Sequence, residues 1–362
     1  MIWVLTAGFG DGHNSAARSA AAALERLAPG EKVLSFDLLK DVHPLIFQAS
    51  QRGYRFLITH LPGLWKLAYD AFARPSMAGS TRWMATITAA LDARLEREQP
   101  RLIVSTYPLY SGLLEHLRRQ GRPVPPLVTV VTDSITVHPS WMMGPSDLLC
   151  VADEETRRSV RELGVDDAKV RVTGFPVSLD FVDQISRPSQ TPRVLYMPST
   201  PGAHVAATLE ALLPVLNQGV RLTLQTGRNA PAYYQTIRRF LDAHPQAPVD
   251  VIGWTDQIPR LLQTHDVLIC KAGGAILHEA LAARIPAIID YVVPGQEEGN
   301  AQLLLDHACG LRSRTPQETA LHLQRLLDNH LALAKTMRAN MQPLSVPDAA
   351  LRVAELALAL AH

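Results

Sequence analysis

The chain is short of cysteine, of net charge and of long apolar runs, and each shortage removes a class of explanation. Its 362 residues hold three cysteines, Cys150, Cys270 and Cys309, none in a Cys-x-x-Cys or Cys/His pattern of metal-ligand spacing. An odd, scattered set argues against a disulfide framework and for a reducing compartment. Thirty-five Lys and Arg face 34 Asp and Glu, a net charge of +1. No global basic field recruits nucleic acid, and none is expected as a partner. No stretch reaches about 18 consecutive apolar residues, so no bilayer span is expected. The first residues, Met1-Ile2-Trp3-Val4-Leu5-Thr6, read as a strand with no basic region before them, so no signal peptide is expected. What is present is globular: 47% hydrophobic and 19% charged, in a length that predicts two domains at about 150 residues each.

Short apolar runs alternate with helical ones. Strands are expected at 2–6, 32–37, 101–106, 127–132, 147–152 and 170–173, with helices at 15–27 and 154–163. The polar, proline-bearing segment 183–193 reads as a linker. Beyond it strands are expected at 194–197, 221–226, 249–252, 267–270 and 286–290, with a helix at 205–217. This alternation predicts an α/β fold of two doubly wound, Rossmann-like domains with ligands between them. The expected divisions are 1–185, 192–345 and a terminal helix within 346–362 that packs back on the first domain. One segment, 43–94, breaks the pattern. It carries seven of the 21 aromatics, and its basic residues Arg52, Arg55, Lys66, Arg74, Arg82 and Arg94 outnumber Asp70 and Asp92. It reads as a helical insertion.

Four constellations carry chemistry. Gly8-Phe9-Gly10-Asp11-Gly12-His13 follows the first strand and precedes a helix. Glycines permit close backbone approach, and a helix N-terminus favours negative charge. The dinucleotide spacing Gly-x-Gly-x-x-Gly is absent, which leaves His13 as the sharper feature, either a capping histidine or a catalytic one. Asp133 ends a strand in Val131-Thr132-Asp133, with His138 and Trp141 behind it. Such an acid orients a histidine, takes a proton or caps the next helix. Lys271-Ala272-Gly273-Gly274 lies between a strand and a helix bearing Glu279; its amides suit a phosphate, and the carboxylate suits two ribose hydroxyls. Gln296, Glu297 and Asn300 sit in a polar loop suited to sugar hydroxyls.

The motifs Lys-Ala-Gly-Gly-x4-Glu-Ala-Leu (271–281), Pro-Ala-Ile-Ile (286–289) and Pro-Gly-Gln-Glu-x2-Asn (294–300) resemble the donor domain of GT-B UDP-sugar glycosyltransferases. Within that group the chain is most similar to plant monogalactosyldiacylglycerol synthases and bacterial diacylglycerol glucosyltransferases, cousins of the peptidoglycan N-acetylglucosaminyltransferase. Gly12-His13 with Ala16-Ala17, and Val131-Thr132-Asp133 with His138 and Trp141, resemble the N-terminal domain of the same branch. The resemblance implies a GT-B fold and an inverting transfer of a hexose from a UDP-sugar to a lipid such as diacylglycerol. It implies that Glu279 holds the ribose, and that Gly273 and Gly274 lie beside the diphosphate. Gln296, Glu297 and Asn300 would face the sugar and the helix beneath it, and Gly253-Trp254-Thr255 would pack on the uracil. The 198–204 segment, with Gly202, Ala203 and His204, stands at the second diphosphate loop with one glycine where more are usual.

The expected mechanism makes His13 the base, with Asp133 orienting it or acting in its place. Helix N-termini at Gly202 and Gly274 take the diphosphate charge. No Asp-x-Asp pair ends a strand, so no metal or other cofactor is expected. Gly12, His138 and Trp141 would meet the acceptor. Arg52, Arg55, Trp65, Arg82 and Trp83 would hold an anionic membrane surface, placing the protein in the cytoplasm, peripheral at the inner face of the cell membrane. A glycosyltransferase with a soluble acceptor and a UDP-N-acetylglucosamine 2-epimerase are the rival readings. A protein that binds sugar nucleotides without turning them over is a third.

Overall fold

The computed structural model describes residues 1–8, 11–60, 63, 82–183, 191–293 and 297–361, with the backbone alone at 54, 55, 58–60, 82, 83 and 229. The chain divides into two compact units. The first combines Met1–Leu179 with Pro294–Gly299 and Val346–His362, and the second combines Asp180–Val293 with Asn300–Ser345.

The first unit is built on a parallel sheet ordered β2-β1-β3-β4-β5-β6. Its strands are β1 (Ile2–Leu5), β2 (Val33–Phe36), β3 (Leu102–Ser105), β4 (Leu127–Val130), β5 (Leu148–Val151) and β6 (Val170–Val172). β1, β3, β4 and β5 are buried at every residue, as expected of a parallel sheet covered on both faces. Helix α1 (Asp11–Leu27) follows β1. It starts four residues before the expected position. Asp11 lies in its first turn, where a carboxylate suits the positive end of the helix dipole. Gly12 and His13 therefore belong to a helical turn, not to a loop.

Between β2 and β3 the segment read as an insertion is helical where it is described. It forms α2 (Leu38–Val42), α3 (Pro44–His60) and α4 (Arg82–Glu98). These helices are tied to the sheet: Phe47, Ile87, Leu91 and Leu95 share a core with Trp3, Leu5 and Ile103. Helix α5 (Leu109–Arg119) follows β3, and α6 (Glu154–Glu162) follows β5.

The second unit repeats the plan as β12-β11-β10-β7-β8-β9, again parallel throughout. Its strands are β7 (Arg193–Met197), β8 (Arg221–Gln225), β9 (Val249–Ile252), β10 (Val267–Lys271), β11 (Ala287–Tyr291) and β12 (Gly310–Arg312). Its helices are α7 (Gly202–Leu216), α8 (Ala230–Ala243), α9 (Ile258–Thr264), α10 (Gly274–Ala283), α11 (Glu298–Asp306) and α12 (Pro316–Met341). Backbone torsions at Asp328–Leu331 interrupt α12.

The last helix, α13 (Ala349–Leu360), packs on α1, as the sequence predicts. Ala350, Val353, Ala354 and Ala357 join Ile2, Val4, Ala17 and Leu24 in one buried cluster. Small side chains on both helices let the axes approach closely. Gly174 makes the join possible. Its φ is +85°, and a Cβ there would lie 2.8 Å from Val346.

Candidate active site

In the first sheet, the chain passes from β1 outward to β2, then back across to β3 on the other side. Ligand crevices in doubly wound sheets open at such crossing points, beyond the carboxyl ends of the strands. His13 stands there. Its Nδ1 lies 2.8 Å from the Thr106 carbonyl, just after β3, and 2.8 Å from Thr132 Oγ1, just after β4. Thr106 Oγ1 donates in turn to the His13 carbonyl at 3.0 Å. A carbonyl can only accept, so these partners assign the hydrogen to Nδ1. The lone pair of the neutral ring is then on Nε2, where a proton can be received. Tyr107 and Trp141 flank the ring, with centroids at 5.1 and 5.9 Å. Burial lowers the His13 pKa from its ordinary value, opposed by the charge of Asp133 and the hydrogen bond to Thr106.

Asp133 is engaged elsewhere. Its Oδ2 accepts from Trp141 Nε1 at 2.8 Å and from the His138 amide at 3.1 Å. The residues that orient His13 are thus Thr106 and Thr132, whereas Asp133 was expected there; it acts on the ring through charge and by holding Trp141. His138 is a cap: its Nδ1 accepts from the Ser140 amide at 3.2 Å. Asp37, a strand-end acid, is likewise occupied, accepting from the Gly8 and Lys40 amides at 2.9 and 3.1 Å. A cavity of about 350 Å³ opens on its side of α1, lined by Thr6, Asn14, Arg18, Lys40 and Asp41 among others.

In the second sheet the crossing point lies between β7 and β10. Helices α7 and α10 begin beside it, at Gly202 and Gly274. Ala203 and His204 complete the first turn of α7. The unpaired amides of first turns form an anion site. Lys271 ends β10, and its Nζ lies 3.7 Å from the point a Gly273 Cβ would occupy. Its positive charge thus stands at the start of α10. Glu279 is half-buried in the second turn of that helix. Asn300 was expected to face the sugar and the helix beneath it. Its Nδ2 donates to the Ala272 carbonyl at 3.1 Å, fixing the loop that opens α10. Glu297 is buried. Trp254 follows β9 and is 61% exposed, with the Arg228 guanidinium 5.7 Å from its ring. Gly253 accepts from Gln225 Nε2 at 3.2 Å, and Thr255 Oγ1 from the Gln257 amide at 3.1 Å. An open indole on a fixed turn suits base stacking.

Gln296 and Trp65 lie outside the described residues, as do most of the expected linker, Lys66, Asp70 and Arg74. Arg55, Arg82 and Trp83 lie in helices whose side chains are not described there, and Arg52 is exposed on α3. Among the described residues no three His, Cys, Asp or Glu side chains cluster to hold a metal ion, and no helix is long and apolar enough to cross a membrane. Asp290, Tyr196 and the two threonines of His13 were not singled out from sequence. Asp290 had one signal, an acid inside the apolar run Ala287-Ile288-Ile289-Asp290-Tyr291.

Known proteins match the chain in family and in fold. Residues 13–177 match the family model of monogalactosyldiacylglycerol (MGDG) synthase. Residues 200–353 match that of the glycosyltransferase family 28 C-terminal domain. The Arabidopsis thaliana monogalactosyldiacylglycerol synthase 3, chloroplastic, is 28% identical over 96% of this chain and 78% of its own length. Acinetobacter baumannii MurG superposes with a TM-score of 0.62 at 14% identity, covering 99% of both chains. The Neisseria meningitidis UDP-GlcNAc 2-epimerase, solved with UDP-GlcNAc, gives 0.62 at 12% identity, again over 99% of both. Fold and family matches together make the chain a glycosyltransferase of GT-B architecture. Along both halves it resembles the monogalactosyldiacylglycerol synthases.

Proposed function

We propose that the protein transfers a hexose, galactose foremost, from a UDP-sugar to the free hydroxyl of diacylglycerol at a membrane surface, with inversion at the anomeric carbon. The observation that carries this reading is His13, pinned through Nδ1 with Nε2 left to accept, inside the stretch that matches the synthase model. Nε2 takes the acceptor proton as its oxygen attacks, and the diphosphate leaves from the opposite face. One displacement inverts the centre. The first turns of α7 and α10, with Lys271, receive the diphosphate charge, so chelators leave the rate unchanged in this reading. Glu279 binds the ribose, and Trp254 stacks on the uracil.

The lipid acceptor has separate support. Helix α3 exposes Leu45 by 78%, Ile46 by 55% and Phe56 by 56%, with Arg52 exposed beside them. Apolar side chains beside a cation suit a headgroup boundary, which supports a peripheral location at a membrane; its cytoplasmic face belongs to the same proposal.

The test is UDP release from a panel of UDP-sugars, with and without diacylglycerol vesicles. Release that requires both one sugar and the vesicles is expected. Release with a soluble acceptor alone overturns the lipid reading, and conversion of the donor without any acceptor replaces it with an epimerase.

A further inference from the structure

A knot of unsatisfied polar groups lies beneath the first turn of α7. Tyr196 Oη, Thr200 Oγ1, Thr208 Oγ1, His204 Nε2 and both Asp290 carboxylate oxygens are buried with no hydrogen bond of good geometry; Tyr196 is near enough to Thr200, Thr208 and Asp290 for weak ones, which leaves His204 Nε2 the poorest in partners. They are six of the 12 such atoms among the described residues. Buried polar atoms are normally paired, so a concentration of orphans in one place asks for a role. These groups are close enough for the Tyr196 and Tyr233 hydroxyls to feel the charge of Asp290. His204 spans the knot: its Nε2 is 3.9 Å from Asp290 Oδ2, its side chain is 26% exposed, and that of Asp290 is wholly buried. The ring therefore runs from a hidden carboxylate to the surface, two residues past the start of an anion-favouring helix.

We propose that Asp290 is a positioning residue for the donor's diphosphate: it holds His204 by Nε2, so that the ring becomes an imidazolium donating Nδ1–H to a phosphate oxygen. This rests on the UDP-sugar reading of the same loop. The chemistry follows from the surroundings. The titratable groups facing Asp290 are His204 from α7, Tyr196 from β7 and Tyr233 from α8. Burial lowers the His204 pKa and pushes Asp290 up to about 7. Without a ligand the pair thus withholds its charges. A diphosphate supplies the missing negative charge on the outer side of the ring. The imidazolium is then stabilised from both sides, by the carboxylate at Nε2 and by phosphate at Nδ1. Below about pH 7 the proton passes from Asp290 to His204 and none is taken up; above it Asp290 is already ionised, so binding takes a proton from solution and tightens as the pH falls towards that value.

The experiment is calorimetric titration of UDP into the intact wild-type chain, Asp290→Asn, His204→Gln and the double variant, at about pH 6 and about pH 8. UDP's terminal phosphate titrates in the same range, so the readout is the difference in slope between wild type and variants. Wild-type affinity is expected to rise about tenfold more steeply than that of His204→Gln on acidification. Asp290→Asn should lose the same slope, bind roughly tenfold more weakly at the lower pH, and add nothing in the double variant. Wild-type slope and affinity in a folded Asp290→Asn overturn the inference and leave the donor reading intact. If Asp290→Asn does not fold, His204→Gln decides: a slope equal to wild type overturns the inference. A wild-type chain that binds no UDP at either pH overturns the donor reading and this inference together.

Discussion

In the first sheet the crossing point between β1 and β3 belongs to His13, whose Nδ1 is held at 2.8 Å by both Thr106 and Thr132. In the second, the crossing point between β7 and β10 belongs to α7, whose His204 reaches only a carboxylate 3.9 Å away. One histidine is fully oriented, and the other is left among orphans. A base must be aimed before its substrate arrives, because misalignment is lost rate. A receiver of charge gains most when its partner is the ligand, since satisfied groups have little left to give. The sheets differ in plan as well. The second places β9 outside β8, where the first, among the described residues, has no strand outside β2 and runs helices α2, α3 and α4 before β3. The edge strand leads into the turn that exposes Trp254, and the helices present Leu45 and Ile46. Each substitution in the plan supplies what that unit offers outward.

The contrast can be broken most sharply at His13. His13→Ala is expected to lower turnover by about 10²–10⁴-fold while UDP affinity stays within about twofold; comparable losses in both would erase the division of labour. The pH profile sharpens it. The proposed base must be neutral to act, and the His13 pKa lies below the ordinary value, so activity is expected to persist into mild acid and to fall as pH drops through that lowered pKa. Asp133→Asn removes a charge that raises it, so the acid limb moves lower still. An upward shift in rate measurements would contradict the electrostatic role. On the donor side, Trp254→Ala should weaken UDP binding about tenfold and leave turnover at saturation near wild type, as titration would show. Leu45→Ser with Ile46→Ser should cut sedimentation with anionic vesicles severalfold at unchanged thermal midpoint; undiminished sedimentation would remove α3 from the membrane reading. The smallest effect on function, and a clear one on stability, is expected of Gly174→Ala. A positive φ and a neighbour at 2.8 Å should cost about 1–3 kcal/mol, read as a lower melting temperature.

Most strands were legible because parallel strands covered on both faces are unbroken apolar runs, as in Leu102-Ile103-Val104. Strand β9, at 249–252, and helix α13, at 349–360, fall where the pattern puts them. Strand β12, Gly310-Leu311-Arg312, was missed: three residues with one apolar side chain carry no periodicity. Helices α5, α8 and α9 were not distinguished from the loops around them. The start of α1 was misplaced because the three glycines at 8, 10 and 12 read as a turn, and the charge of Asp11 was not weighed as a helix signal. At the site, Gly274 was read as a helix start; α7 starts at Gly202, the N-terminus named for the diphosphate but three residues before the helix expected at 205–217; and His13 was legible from its place after a strand. Its partners were not: Thr106 and Thr132 lie 93 and 119 residues away, and adjacency across strands follows from sheet order. Asp133 was assigned to His13 on residue type, and the indole that claims its carboxylate is eight residues on.

Helix α13 imposes an order on biosynthesis. The cluster that closes over Ile2, Val4 and Ala17 draws Ala350, Val353, Ala354 and Ala357 from the far end of the chain. A ribosome adding about 5–20 residues each second must complete the whole second unit before those alanines emerge. The first unit to be synthesised is thus the last to be sealed, and until then the apolar face of α1 stays open to water, to chaperones and to other nascent chains.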